Sequence, residues 1–160
     1  MKSVILINGS INSGKSTTGE YLSTLFEKAI FVDGDHHGQK WNGDLEKKIQ
    51  AALGYIKLSL VSSDWIYAFV AYPLRQTDYN NLHLFCTNHS WRCVCVTISP
   101  PLHVALSPRG NRLLQDWEKC RIEEMYAECY HQRTFSDLVI DNSGISLENT
   151  ASEIISSLGL

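Results

Sequence analysis

Five short apolar runs punctuate the chain: Val4-Ile5-Leu6-Ile7, Ile30-Phe31-Val32, Trp65-Ile66-Tyr67-Ala68-Phe69-Val70, Cys93-Val94-Cys95-Val96-Thr97-Ile98 and Leu138-Val139-Ile140. Each is close to continuous rather than alternating, which suits strands covered on both faces. Between them apolar residues recur at helical spacing. Tyr21, Leu22, Leu25 and Phe26 form one stripe, and Leu45, Ile49, Ala52, Leu53 and Ile56 form another. Leu147, Ala151, Ile154, Ile155 and Leu158 form the last, with Ser146 placed to cap its start and Gly159 just beyond its end. Strands alternating with helices predict one α/β domain over 1–160: three layers around a five-stranded parallel sheet.

The stretch from Ser99 to Gln115 breaks this rhythm. Ser99-Pro100-Pro101 closes a strand, and Ser107-Pro108-Arg109-Gly110-Asn111-Arg112 concentrates turn residues and two arginines. We expect a lid over about 99–115, with Arg109 and Arg112 as clamps. The helix after it should turn Glu118, Lys119, Arg121, Glu123 and Glu124 to water.

Bulk properties remove several alternatives. At 160 residues the chain can bury a core of its own. A net charge of -3 argues against a dedicated nucleic-acid binder, which would carry a basic surplus. No apolar run nears the ~20 residues that span a bilayer. Met1-Lys2-Ser3 leads into the first run without a cleavage region, so a cytoplasmic location is expected, with no membrane partner. Five cysteines lack paired metal-ligand spacing and read as reduced, buried small hydrophobes, with Cys93 and Cys95 on one strand face. Trp41, Trp65, Trp91 and Trp117 are scattered and read mostly as partial core.

The chemistry is concentrated after the first run. Gly9-Ser10-Ile11-Asn12-Ser13-Gly14-Lys15-Ser16 fits the P-loop pattern of Gly, four residues, Gly-Lys-Ser/Thr, the Walker A motif. The two glycines let successive N–H groups converge on a phosphate, and the following helix adds its positive end. Gly9, Ser10, Asn12, Ser13, Gly14, Lys15, Ser16 and Thr17 are therefore candidate ATP contacts. Lys15, expected to stand exposed, would meet the terminal phosphates, and Ser16 would ligate Mg²⁺. Asp33-Gly34-Asp35 ends the second run, where strand carboxyl ends line a ligand crevice. Asp33 is the candidate for the metal, and Asp35 for orienting or deprotonating an acceptor hydroxyl. Arg75, leaving the third run, is a candidate to bind an anionic acceptor.

The P-loop, Asp33-Gly34-Asp35 and the short length resemble the small P-loop metabolite kinases, especially gluconate and adenylylsulfate kinases. Ala71-Tyr72-Pro73-Leu74-Arg75-Gln76-Thr77-Asp78-Tyr79 is loosely similar to the third-strand exit of gluconate kinases. Leu138-Val139-Ile140-Asp141-Asn142-Ser143 resembles the group's last strand and adenine-side turn. No Gly-Gly-Gly follows the third run as in shikimate kinases, and Arg121 with Tyr126 only approximates their acceptor motif. The resemblance implies a sheet in the order 2-3-1-4-5 and ATP- and Mg²⁺-dependent transfer of the γ-phosphoryl group to a small-molecule hydroxyl. Lys15, Asp35, Arg109 and Arg112 would be catalytic. Two rivals stand beside it: a nucleotide or nucleoside kinase, and an ATP-binding sensor or partner module that transfers nothing.

Overall fold

The computed structural model describes residues 1–160. Its strands are β1 (Ser3–Asn8), β2 (Ala29–Asp33), β3 (Tyr67–Ala71), β4 (Arg92–Ile98) and β5 (Leu138–Ile140). The helices are α1 (Lys15–Thr24), α2 (Leu45–Ser62), α3 (Gln76–Asn88), α4 (Leu102–Ala105), α5 (Asp116–Ala127) and α6 (Leu147–Leu158). All strand pairings are parallel, in the order β2-β3-β1-β4-β5.

The period of two along each strand explains why the runs are continuous. Val4 and Leu6 of β1 face one core, with Ile56 and Leu60 of α2 and Leu82 of α3. Ile5 and Ile7 face the other, with Leu22 of α1 and Ala151 and Ile154 of α6. β1 is buried throughout, which makes it the centre of the three layers. Each fully buried Ile or Leu contributes about 1.5–3 kcal/mol of apolar transfer before conformational entropy is charged against it.

α6 starts and stops where its sequence indicates. Ser146 Oγ accepts from Asn149 N at 3.1 Å, and Gly159 ends the helix in the left-handed region at φ 61°. Other details differ. Trp65 and Ile66 precede β3 instead of opening it. Trp65 is buried at the corner, its Nε1 donating to the Leu60 carbonyl at 2.8 Å. α1 ends at Thr24, so Leu25 is left exposed while Phe26 still packs on the sheet. Its buried face is made by Thr18, Gly19 and Leu22. Leu45 lies in the first turn of α2 and stays exposed, and Leu60 takes its place in the stripe.

Three expectations from composition need correction. Cys86 and Cys95 are buried and Cys93 half-buried, yet Cys120 on α5 and Cys129 in the turn after it are exposed. Cys93 and Cys95 do share one sheet face. Trp65 and Trp91 pack in or against the core, whereas Trp41 and Trp117 stand in solvent. Glu118 is not on a wet face. It is buried in a capping box with Gln115, its Oε2 accepting from Gln115 N at 2.9 Å.

No helix is long and apolar enough to cross a membrane. The carboxyl ends of β1, β2 and β3 open on one rim, which carries the P-loop, the Asp33–Asp35 turn and the segment from Tyr72 to Arg75.

Candidate active site

β1 ends at Asn8, and the chain turns at once into the loop that delivers Lys15 as the first residue of α1. Gly9 has φ 155° and Gly14 φ 98°. A Cβ on Gly9 would lie 2.5 Å from Ser13 Oγ and 2.8 Å from the Ile98 carbonyl oxygen, so only glycine fits. Asn12 takes φ 59°, a conformation Asn tolerates better than most side chains. No side chain caps α1, which leaves its first N–H groups and positive dipole end facing the cleft.

Lys15 is 8% exposed, buried rather than projecting as its sequence context suggested. Its Nζ folds back to donate to the Ser10 carbonyl at 3.0 Å. Burial lowers its pKa from the ordinary lysine value, and the charges of Asp35 and Asp33 oppose that shift. The ammonium therefore belongs electrostatically to both the loop and the Asp33–Asp35 turn.

Asp33 joins the two elements directly. Ser16 Oγ donates to Asp33 Oδ2 at 3.0 Å, and Asp35 N donates to Asp33 Oδ1 at 3.0 Å. A hydroxyl and one carboxylate fixed side by side suit Mg²⁺, which takes few protein ligands and completes its octahedron with water and phosphate oxygens. No three acidic, His or Cys side chains stand close enough together to hold a metal on their own. Asp35 is exposed on the next step of the turn.

The segment expected to be a lid lies against the P-loop. Asn12 Nδ2 donates to the carbonyls of Ala105 (2.8 Å) and Ser107 (2.9 Å). Arg109 Nη1 answers from the other side, donating to the Asn12 and Ser13 carbonyls at 3.1 and 2.7 Å. Arg109 and Arg112 pair across a short antiparallel turn containing Gly110, and Arg112 Nη2 bridges to Glu118. A cleft of about 360 Å³ opens beneath. Asn12, Gly14, Lys15, Ser16 and Thr17 line it from below, and Arg109 and Arg112 from above. Gly9, Ser10 and Ser13 shape the loop behind it.

Arg75 lies apart from this cleft. Its Nε and Nη2 donate to the two carboxylate oxygens of buried Asp78 at 2.8 and 2.9 Å. Its Nη1 donates to Glu46 at 2.9 Å, so every guanidinium nitrogen is already engaged.

Asn8, which sequence reasoning passed over, holds the rim together with Asn142 and Tyr126, which it reached only through resemblance. Asn142 Nδ2 donates to the Ser13 carbonyl at 2.9 Å beside Arg109. Tyr126 on α5 donates to the Pro100 carbonyl, tying α5 to the β4 exit. Asn8, fully buried, donates to Thr97 Oγ1 (2.9 Å) and the Tyr130 carbonyl (3.0 Å) and accepts from Leu74 N (2.8 Å). One clue to Asn8 was visible: a polar residue closes an apolar run at the point where the P-loop begins.

No protein-family model matches the sequence, and no curated protein does either. Solved structures do match. A gluconokinase from Sinorhizobium meliloti superposes with a TM-score of 0.78 at 16% identity, covering 98% of this chain and 91% of that one. Shikimate kinase from Acinetobacter baumannii, in complex with shikimate, gives 0.69 at 18% identity, over 99% of this chain and 93% of that one. The tunicamycin resistance protein of Deinococcus radiodurans gives 0.67 at 18% identity, over 100% and 97%. This chain has the fold of the small P-loop metabolite kinases over its whole length.

Proposed function

We propose that the chain is an ATP-dependent phosphotransferase that moves the γ-phosphoryl group to a hydroxyl of a small molecule. The observation that carries this reading is the Ser16–Asp33–Asp35 linkage, which sets a metal-competent pair and a free carboxylate on one rim beside Lys15. A P-loop that only sensed nucleotide would keep the Ser16–Asp33 pair for Mg-ATP, yet have no use for Asp35 or for Arg109 and Arg112.

The roles follow from position. The N–H groups at the start of α1 and the backbone of Gly9–Gly14 cradle the phosphates, and Lys15 swings from the Ser10 carbonyl to the terminal oxygens. Ser16 and Asp33 hold Mg²⁺, which supplies positive charge where the phosphate oxygens gain negative charge. Asp35 accepts the proton of the acceptor hydroxyl as its oxygen bonds to phosphorus and the bond to the ADP oxygen breaks. Arg109 and Arg112 exchange their protein partners for phosphate oxygens as the lid settles, adding charge-assisted hydrogen bonds and excluding water. Arg75, gripped by two carboxylates, orders the rim and does not touch the acceptor itself.

An ATP-consumption screen over polyols, amino sugars, sugar acids, nucleosides, nucleotides and hydroxylated antibiotics tests the reading. Acceptor-dependent ADP release supports it. Tight Mg-ATP binding with no acceptor-dependent release across the panel would support the sensor reading, and activity confined to nucleosides or nucleotides would support the other kinase reading.

A further inference from the structure

We propose that Glu118 is a positioning residue for the transfer: it holds Arg112 at the side of the cleft, so that a phosphate oxygen must compete with its carboxylate for the same guanidinium. This rests on the phosphotransferase reading for what the released arginine does, and deepens it by assigning the group that restrains that arginine.

Glu118 is the fixed half of the pair. It stands buried in the first turn of α5, in a capping box with Gln115, and its Oε2 accepts from Gln115 N at 2.9 Å. The positive end of the helix favours a carboxylate there. α5 is itself anchored by buried Ile122 and Met125, and Tyr126 ties it to the Pro100 carbonyl. The Gln115 N–H, and after it Arg112, hold the Glu118 carboxyl below the usual carboxylate range. It is therefore ionised at neutral pH, and it keeps a hydrogen bond when Arg112 moves away.

Arg112 is the movable half. Its side chain is half-exposed, and the bond from Nη2 to Glu118 Oε1 is the one hydrogen bond that engages its guanidinium. Arg109, by contrast, gives Nη1 to two P-loop carbonyls. The Arg112 backbone sits on a short turn, its N–H donating to the Arg109 carbonyl at 3.3 Å across Gly110, so the side chain can swing while α5 stays in place. Arg112 lines the cleft together with Lys15 and Ser16. Burial lowers the Lys15 pKa, Asp35 and Asp33 oppose that shift, and the charge of Arg112 adds to it. The guanidinium is thus within electrostatic reach of the ammonium. Two cations facing one cleft favour an anion between them, and a phosphate group matches the guanidinium fork.

Glu118 Oε1 and a phosphate oxygen are alternative acceptors for one set of donors, so weakening the first strengthens the second. Glu118→Gln separates the two tasks of the carboxylate. An amide oxygen still accepts from Gln115 N, since capping boxes use Gln and Glu alike, but it has no charge with which to hold Arg112.

The test measures binding of a non-hydrolysable ATP analogue with Mg²⁺ by calorimetry in the full chain, for the wild type, Glu118→Gln, Arg112→Ala and the double variant. Acceptor-dependent ADP release is followed alongside. Glu118→Gln should tighten analogue binding about 2- to 5-fold, the scale of one partly exposed ion pair, and the gain should vanish when Arg112 is alanine. A residue that only capped α5 would leave binding unchanged or weaken it, with or without Arg112. Either result overturns the inference, as does a gain that persists in the Arg112→Ala background. Any loss of α5 stability enters both backgrounds and cancels in the comparison. Tightening that depends on Arg112, with no ADP release for any acceptor, upholds the role of Glu118 and overturns the phosphotransferase reading.

Discussion

Ser16 Oγ donates to Asp33 Oδ2 at 3.0 Å, binding the first turn of α1 to the end of β2. The same carboxylate takes Asp35 N through Oδ1, so one side chain fixes the Ser16 hydroxyl and the neighbouring turn together. In the proposed mechanism Asp33→Asn and Ser16→Ala raise the Mg²⁺ concentration needed for half-maximal turnover. Because the two residues share a hydrogen bond, the double variant should be less impaired than the product of the single effects. Asp35→Asn should instead lower turnover by about 10²–10⁴-fold, as loss of a general base does, with Mg²⁺ dependence unchanged. Titrating Mg²⁺ and acceptor separately for each variant checks both parts.

The segment proposed as a lid is held by reciprocal contacts, Asn12 to Ala105 and Ser107 and Arg109 back to Asn12 and Ser13. Replacing Arg109 and Arg112 together with Ala should reduce turnover far more than ATP affinity, because their guanidinium groups act where charge spreads in the transition state. Asn12→Ala should speed amide exchange across 104–112, and an ATP analogue with acceptor should slow it in the wild type. Unchanged exchange in both experiments, with near-normal turnover in the double variant, would reduce the segment to a static loop.

Asn8 carries a structural load out of proportion to its size. Asn8→Ala strands the Leu74 amide and the Tyr130 carbonyl in a site with no exposure, each at a cost of about 1–3 kcal/mol. Urea unfolding should show a clearly lower midpoint with an unchanged slope. A midpoint equal to wild type would mean that the rim closes without this bracket.

What the sequence disclosed follows from how local each signal is. The five runs, the P-loop and both ends of α6 are written in consecutive residues, and each appears in place. The five-strand order came through resemblance, since no pattern within one strand says which neighbour it takes. Trp65 was drawn into β3 because a corner tryptophan and a strand tryptophan look alike without the hydrogen bond to Leu60. Glu118 read as surface because its partners, Gln115 and Arg112, meet only once the turn before α5 forms. Lys15 was expected to project because the loop's own carbonyl partner, Ser10, is invisible in a motif pattern. Arg75 read as an anion binder since sequence does not show that α2 brings Glu46 onto it. Asn8, Leu74 and Tyr130 are too far apart in the chain for any spacing rule to join them.

His131 gives the fold a pH dependence with a defined sign. Its ring stacks on Tyr126 with centroids 4.5 Å apart, and its Nδ1 is buried without a partner. Burial lowers its pKa, and the charge of Arg133 lowers it further. Below the ordinary histidine value of about 6.5 the unfolded chain then binds more protons than the folded one, so stability falls as pH drops through that value. His131→Phe keeps the stack and removes the proton site, and should lose less stability between about pH 7 and pH 5. Urea midpoints at the two pH values decide it; equal losses would exclude His131 as the source.

Phosphoryl transfer through Lys15 is the centre of the account, and following the label tests it most directly. ATP labelled in the γ-phosphoryl group is incubated with the protein, Mg²⁺ and a pool of hydroxylated small molecules, and products are separated by mass spectrometry. The account predicts a labelled phosphomonoester formed by the wild type and none by Lys15→Ala, with circular dichroism of the variant unchanged. Label that stays on ATP or appears only as inorganic phosphate, or a product formed equally by a folded Lys15→Ala variant, would contradict it.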